Sequence, residues 1–161
     1  MKVLIVSDTH GINDELFKVL KIEGEPDFLI HAGDIDGSEE IIRNSVMCPV
    51  KMVKGNNDFG SELNREEQFM VGPLSVFLTH GHYDGVYYGA DKIFYKAASR
   101  NANVAIFGHT HVPYKAYDEE LGIWAVNPGS LTYPRQAGGK YSYMVMEIDG
   151  EGKPSFTIKY L

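Results

Sequence analysis

The sequence predicts an α/β protein, a mixed β-sandwich flanked by helices, with residues 1–161 forming one domain. Three observations predict it. Residues 2–53 alternate short apolar runs with amphipathic segments in the order β-α-β-α-β, the signature of a parallel sheet. The later runs are paired across turn residues, as hairpins require. Five apolar runs end in aspartate, asparagine or histidine, the place where open α/β sheets bind ligands.

Each element follows from its residues. Lys2 to Ser7 is a near-continuous apolar run and reads as a fully buried strand tipped by Asp8-Thr9-His10-Gly11. Asn13 can cap a helix whose apolar face is Leu16, Phe17, Val19 and Leu20, and Glu25-Pro26 ends it. Asp27 to Ala32 is a second strand, running into Gly33-Asp34. Ser38 to Val46 reads as a short helix capped by Ser38. Val50 to Val53 is a third strand, ending in Gly55-Asn56-Asn57-Asp58. Gln68 to Val71 and Ser75 to Thr79 flank Gly72-Pro73 as a hairpin that ends in His80-Gly81-His82. Tyr88 to Asn101 is a helix with Ile93, Phe94, Ala97 and Ala98 on one face. Asn103 to Phe107 is a buried strand that turns at Gly108 and delivers His109 and His111. Tyr114 to Tyr117 and Ile123 to Val126 flank Asp118 to Gly122, and the second of them ends in Asn127-Pro128-Gly129-Ser130. Tyr141 to Ile148 and Ser155 to Tyr160 make a last hairpin across Asp149 to Gly152. These later strands are expected to pair antiparallel.

Composition narrows the function classes. Hydrophobic residues make up 43% of the chain and charged residues 23%, ordinary for a soluble globular protein. At this length about 70% of the unfolded chain's surface can be buried. The first residues carry too short an apolar run before Asp8 for a signal peptide, and no run is long enough to cross a membrane. The single cysteine, Cys48, excludes an internal disulfide and fits a reducing, cytoplasmic setting. A net charge of −7 argues against nucleic acid or an anionic membrane as a stable partner. It leaves room for a small phosphorylated substrate, because bound divalent ions can reverse the local sign of a site.

Collected by strand end, the candidate metal ligands are Asp8, His10, Asp34, Asn56, His80, His109 and His111. Seven oxygen and nitrogen donors exceed what one tetrahedral zinc takes. They suit two adjacent ions if one carboxylate bridges, an arrangement that clamps a phosphoryl group and activates water. With carboxylate, amide and imidazole and no thiolate, the expected cofactors are two divalent ions, manganese first, with nickel, iron or zinc as alternatives.

Asp8-x-His10, Gly33-Asp34, Gly55-Asn56-x-Asp58, His80 and Gly108-His109-x-His111 resemble the five ordered motifs of the calcineurin-like metallophosphoesterases. Thr79-His80-Gly81-His82 and Asn127-Pro128-Gly129-Ser130 are similar to its small single-domain phosphodiesterase and Vps29-like branch. The resemblance implies a four-layer α-β-β-α fold. It also implies one metal on Asp8, His10 and His111, a second on Asn56, His80 and His109, and Asp34 bridging. The implied activity is phosphodiester hydrolysis by attack of a metal-bridging water or hydroxide. The alternatives are a phosphomonoesterase, or a non-catalytic Vps29-like protein-binding scaffold.

One position departs from the motif. Many relatives carry histidine where Asn57 stands, and that histidine helps protonate the leaving oxygen. An amide donates a hydrogen bond but supplies no proton, so a share of the roughly 10²–10⁴-fold typical of general-acid help is expected to be missing. This favours substrates with stabilised leaving groups, such as aryl phosphodiesters. Asp34, Asn56, Asn57 and Asp58 are the candidate catalytic residues, Asp58 as an acceptor orienting a ligating histidine. Asn57, His82, Asn127 and Arg135 are candidate substrate contacts. His31, inside a strand, reads as a packed histidine. Tyr83, Tyr87, Tyr88 and Tyr95 read as a substrate cleft or a contact in a homodimer or higher oligomer.

Overall fold

Alternation along one short strand sets the layering. In the computed structural model, which describes residues 1–161, β1 (Lys2–Val6) is buried on both faces. Val3 and Ile5 point one way, into a core shared with Val76, Leu78, Val104, Ile106, Met144 and Met146. Leu4 and Val6 point the other way, toward Leu16, Val19 and Ile42. Successive side chains of a strand alternate faces, so one apolar run feeds two cores.

The first core lies between two five-stranded sheets. One sheet has the order β10-β9-β1-β2-β3, with β2 (Phe28–His31), β3 (Val50–Met52), β9 (Ser142–Ile148) and β10 (Pro154–Tyr160). The other has the order β4-β5-β6-β8-β7, with β4 (Glu66–Val71), β5 (Leu74–Thr79), β6 (Val104–Ile106), β7 (Tyr114–Asp118) and β8 (Ile123–Asn127). Helices α1 (Asp14–Glu23) and α2 (Glu39–Asn44) cover the first sheet through Leu16, Val19 and Ile42. Helix α3 (Asp91–Ser99) covers the second, with Ile93 and Ala97 against Phe77, Ala105 and Ala125. The result is the expected mixed sandwich, four layers in the order α-β-β-α.

Pairing in the second sheet differs from expectation. β6 runs parallel to both β5 and β8, and only the β4–β5 and β7–β8 pairs are antiparallel. β1, β2 and β3 are likewise parallel. The carboxyl ends of β1, β2, β3, β5 and β6 therefore feed the loops that carry the candidate ligands.

Helix ends also differ. Neither Asn13 nor Ser38 makes a side-chain cap. The Ser38 hydroxyl donates instead to the Ile35 carbonyl at 2.7 Å, bracing the loop after β2. α3 starts at Asp91 rather than Tyr88, because Gly89 stands before it at φ 141°, outside helical space. Phe17 is 42% exposed and leaves the α1 packing to Leu16 and Val19. No helix is long and apolar enough to cross a membrane.

Candidate functional site

The loops after the parallel strands are bent in a shared way. Asp8, His10, Asp34, Asp36, His109 and His111 all have positive φ, between 46° and 68°. Asn101 is the one other non-glycine residue with that geometry. A left-handed residue costs about 1–2 kcal/mol, and such outliers gather at functional sites. Two glycines make the close approaches possible. A Cβ at Gly55 would lie 2.0 Å from Asp34 Oδ1, and one at Gly108 would lie 2.2 Å from Ser7 Oγ and 2.9 Å from Asp8 Oδ2.

The bends bring together Asp8, His10, Asp34 and His111, whose ligand atoms all lie within 4.8 Å of one another. The hydrogen bonds around them decide which atoms face inward. His111 Nδ1–H donates to the Tyr133 carbonyl at 2.6 Å, and His10 Nδ1–H to Asp36 Oδ2 at 3.1 Å. With Nδ1 so engaged, each ring turns Nε2 toward the other, at 3.4 Å. His111 Nε2 also stands 3.0 Å from Asp8 Oδ1, a buried oxygen that accepts no hydrogen bond. Burial opposes ionisation of Asp8, yet contact with His111 and the charges of His80 and His111 hold its carboxyl below the ordinary range. Acceptor atoms converging with no donor among them are the surroundings of a cation. The donor set fits a divalent metal.

Asp34 joins this cluster to the other candidates. Its Oδ2 lies 3.8 Å from His10 Nε2 and 3.5 Å from His80 Nε2. His80 is fully buried, and its Nδ1–H donates to the Ala32 carbonyl at 2.7 Å. Its Nε2 then faces Asn56 Oδ1 at 3.2 Å as well as Asp34. Burial lowers the proton affinity of His80, but Asp34 and Asp8 outweigh burial and raise it. A proton or a metal ion can supply the positive charge these acceptors need. His109 lies beside them, its ring centroid 5.1 Å from that of His80. Burial and the charge of His80 push its pKa down to about 4, so its ring is neutral near pH 7. Burial opposes ionisation of Asp34 too, but His80 and the Asn57 amides hold its carboxyl well below the usual range.

The remaining candidates divide. Asn57 touches the site, with its backbone N–H and side-chain Nδ2 donating to Asp34 at 2.9 and 2.7 Å. Asp58 does not orient a histidine. Its carboxylate accepts the backbone N–H groups of Asp34, Ile35, Asp36 and Gly55 at 2.6–2.9 Å and so shapes the loop that holds Asp34. Asn127 is fully buried and cannot meet a substrate. Its Nδ2 donates to Gly108 O and Thr110 Oγ1, and its Oδ1 accepts from Gly129 N–H, which ties down the loop carrying His109 and His111. His82 stands beside His80 and His109, with a buried Nδ1 that has no partner. Arg135 is exposed, donates its backbone N–H to His111 O at 3.1 Å, and reaches the Tyr87 hydroxyl with Nη1. His31 is packed as expected, between Thr9 Oγ1 at 3.1 Å and the Gly33 N–H at 3.2 Å. Tyr83, Tyr87, Tyr88 and Tyr95 are all exposed, and Tyr87 packs edge-on against His109.

Sequence reasoning missed Asp36 and the carbonyls of Ala32 and Tyr133, which hold the ligand rings. Asp36, two residues after Asp34, repeats the Asp8-x-His10 spacing and carried a readable signal. Backbone carbonyls carry none.

The chain matches the calcineurin-like phosphoesterase superfamily domain over residues 1–151. It is 37% identical over 152 residues to a probable metallophosphoesterase of Bacillus subtilis, covering 92% of this chain and 86% of that protein. A probable metallophosphoesterase of Mycoplasma genitalium is 33% identical over 164 residues, with 99% and 95% covered. Among solved structures, a Streptococcus pneumoniae protein described as a predicted phosphoesterase superposes with a TM-score of 0.81 at 27% identity, covering 99% of this chain and 88% of that one. Zinc-complexed Vps29 of Entamoeba histolytica superposes at 0.79 and 22% identity over 99% of each chain, a likeness of fold. The chain belongs to the calcineurin-like phosphoesterase superfamily.

Proposed function

We propose that this chain is a cytoplasmic phosphodiesterase that works with two divalent metal ions, manganese foremost. The observation that carries the reading is the position of Asp34. Its Oδ2 stands between His10 and His80, at 3.8 and 3.5 Å, with further acceptor atoms on either side. On one side Asp8, His10 and His111 would hold an ion, and on the other Asn56, His80 and His109, with Asp34 shared. Divalent ions held there supply Lewis acidity, making water nucleophilic near neutral pH and offsetting charge that builds on phosphoryl oxygens.

The chain's own groups set up that chemistry. The Ala32 and Tyr133 carbonyls and Asp36 fix the tautomers of His80, His111 and His10, which spares the site reorganisation as charge develops. Asn57 donates to Asp34 and keeps it ionised. His82, beside the rings of His80 and His109, and Arg135, bonded to the Tyr87 hydroxyl, would donate to non-bridging phosphate oxygens. The neighbouring acid Asp58 is consumed by backbone amides and so is not free to protonate a departing oxygen.

The test is hydrolysis of bis-p-nitrophenyl phosphate by chelator-stripped protein given back manganese, nickel or zinc, beside Asp34→Ala. Metal-dependent turnover that vanishes in the variant is expected. Faster turnover of p-nitrophenyl phosphate would make the chain a monoesterase. Metal binding without turnover of either ester would make it a Vps29-like scaffold.

A further inference from the structure

Beside the His109–His111 loop lies a cavity of about 500 Å³ that the ligand set does not use. Tyr87, Tyr88, Phe107, Val112, Tyr114 and Arg135 are among its walls, and most of its lining is apolar. Its size falls in the range of small-molecule sites, roughly 300–1,000 Å³. Phe107 forms a buried wall, 3% exposed, whereas Tyr87 and Tyr114 are 54% and 37% exposed at the rim. The rings of Phe107 and Tyr114 lie 5.8 Å apart.

Tyr87 is the shared wall between this cavity and the candidate metal ligands. Its ring packs edge-on to His109 at 4.8 Å, and its hydroxyl donates to the His109 carbonyl at 3.1 Å. Arg135 closes the same wall, bonded to the Tyr87 hydroxyl by its guanidinium and to the His111 carbonyl by its backbone N–H. Tyr87 and Arg135 therefore form the rim between the cavity and the His109–His111 loop, so a group seated in the cavity would have to reach across that rim, past one cation, toward the ligand set. The molecule that matches this sequence of surfaces has a flat apolar part joined directly to an anionic one. We infer that the cavity seats the aromatic ester group of the substrate whose phosphoryl group lies at Asp34. This rests on the phosphoesterase reading and adds a substrate class to it. Phe107, Val112 and Tyr114 are then specificity-determining residues.

Two probes share a phosphonate and differ only in the arm: phenylphosphonate and methylphosphonate. Their affinities for manganese-loaded protein are measured by titration calorimetry, which needs no turnover. Phenylphosphonate is expected to bind about tenfold or more tightly, the scale of burying most of one ring. Val112→Trp, which fills the cavity, should bring the two affinities together. Tyr114→Ala, on an edge strand, should cut the preference several-fold by removing one wall, and it keeps the test open if the tryptophan variant does not fold. Equal binding of the two probes by the wild type overturns the inference and leaves the phosphoesterase reading intact. A phenyl preference that survives in both variants also overturns it, because the ring then sits elsewhere. Binding of neither probe is a failure of the metal-site reading itself and takes the inference with it.

Discussion

The two halves of the proposed metal site are built to different tolerances. Around Asp8, His10 and His111, both histidines have Nδ1 anchored, the acceptor atoms lie close together, and Asp8 and His111 are buried. Around Asn56, His80 and His109, His80 is anchored, but Asn56 is exposed and His109 is positioned by aromatic packing rather than by a ring hydrogen bond. Both halves draw on strand ends of both sheets, so the sheets do not explain the contrast. What differs is how many ligand atoms have a fixed partner behind them. Preorganisation is a property of those supporting groups as much as of the ligands.

The comparison can be broken first at Asp34, the residue both halves are proposed to share. Asp34→Ala should cost about 10³-fold or more in metal-dependent turnover and empty both halves together, read by activity and by bound-metal analysis. Retention of one full-affinity ion would show that the halves do not share this carboxylate. Asp58→Ala comes next. It strips four backbone N–H groups around the Asp34 loop of their acceptor, so a stability loss of about 3 kcal/mol or more in urea unfolding is expected.

His31 tests the floor of the better-built half, where it joins the β1 loop through Thr9 to the β2 loop at Gly33. Burial depresses its pKa from 6.5 to about 4. The unfolded chain therefore binds the extra proton more readily between those values. Stability is full above about pH 6.5 and declines as pH falls toward 4, by about 3 kcal/mol from this group at most. Urea midpoints of chelated protein at pH 7 and 4.5 should differ less in His31→Gln than in the wild type. The smallest expected effect sharpens the contrast most. Asp36→Ala frees the His10 ring and should weaken metal binding at the Asp8 half by about 10–100-fold, with little change at the His80 half. Equal weakening of both would show that the halves act as one unit.

Much of this was legible in the sequence. The strand ends carrying Asp8, Asp34, Asn56, His80 and His109 announced themselves by apolar runs stopping at glycine or a polar residue. The parallel course of β6 did not, because a three-residue strand flanked by hairpin-like pairs shows no direction in its periodicity. Asp58 and Asn127 looked like chemistry and proved to be loop architecture. A polar residue beside a site reads the same whether it faces the substrate or a backbone amide. The anchoring carbonyls of Ala32 and Tyr133 belong to residues whose side chains say nothing about them.

The site is also assembled from far apart in the chain. His10 and His111, whose Nε2 atoms face each other at 3.4 Å, stand 101 residues apart, and so do Asp8 and the His109 amide that donates to it. No fragment holding only one of the sheets contains the set. A ligand captured there binds the finished molecule and has little hold on the unfolded one, so occupancy and thermal resistance are linked: each tenfold rise in free ligand above its dissociation constant adds about 1.4 kcal/mol of stability. The cleft would act as a clasp that locks the two sheets together once both are in place, and loading it would register that folding is complete.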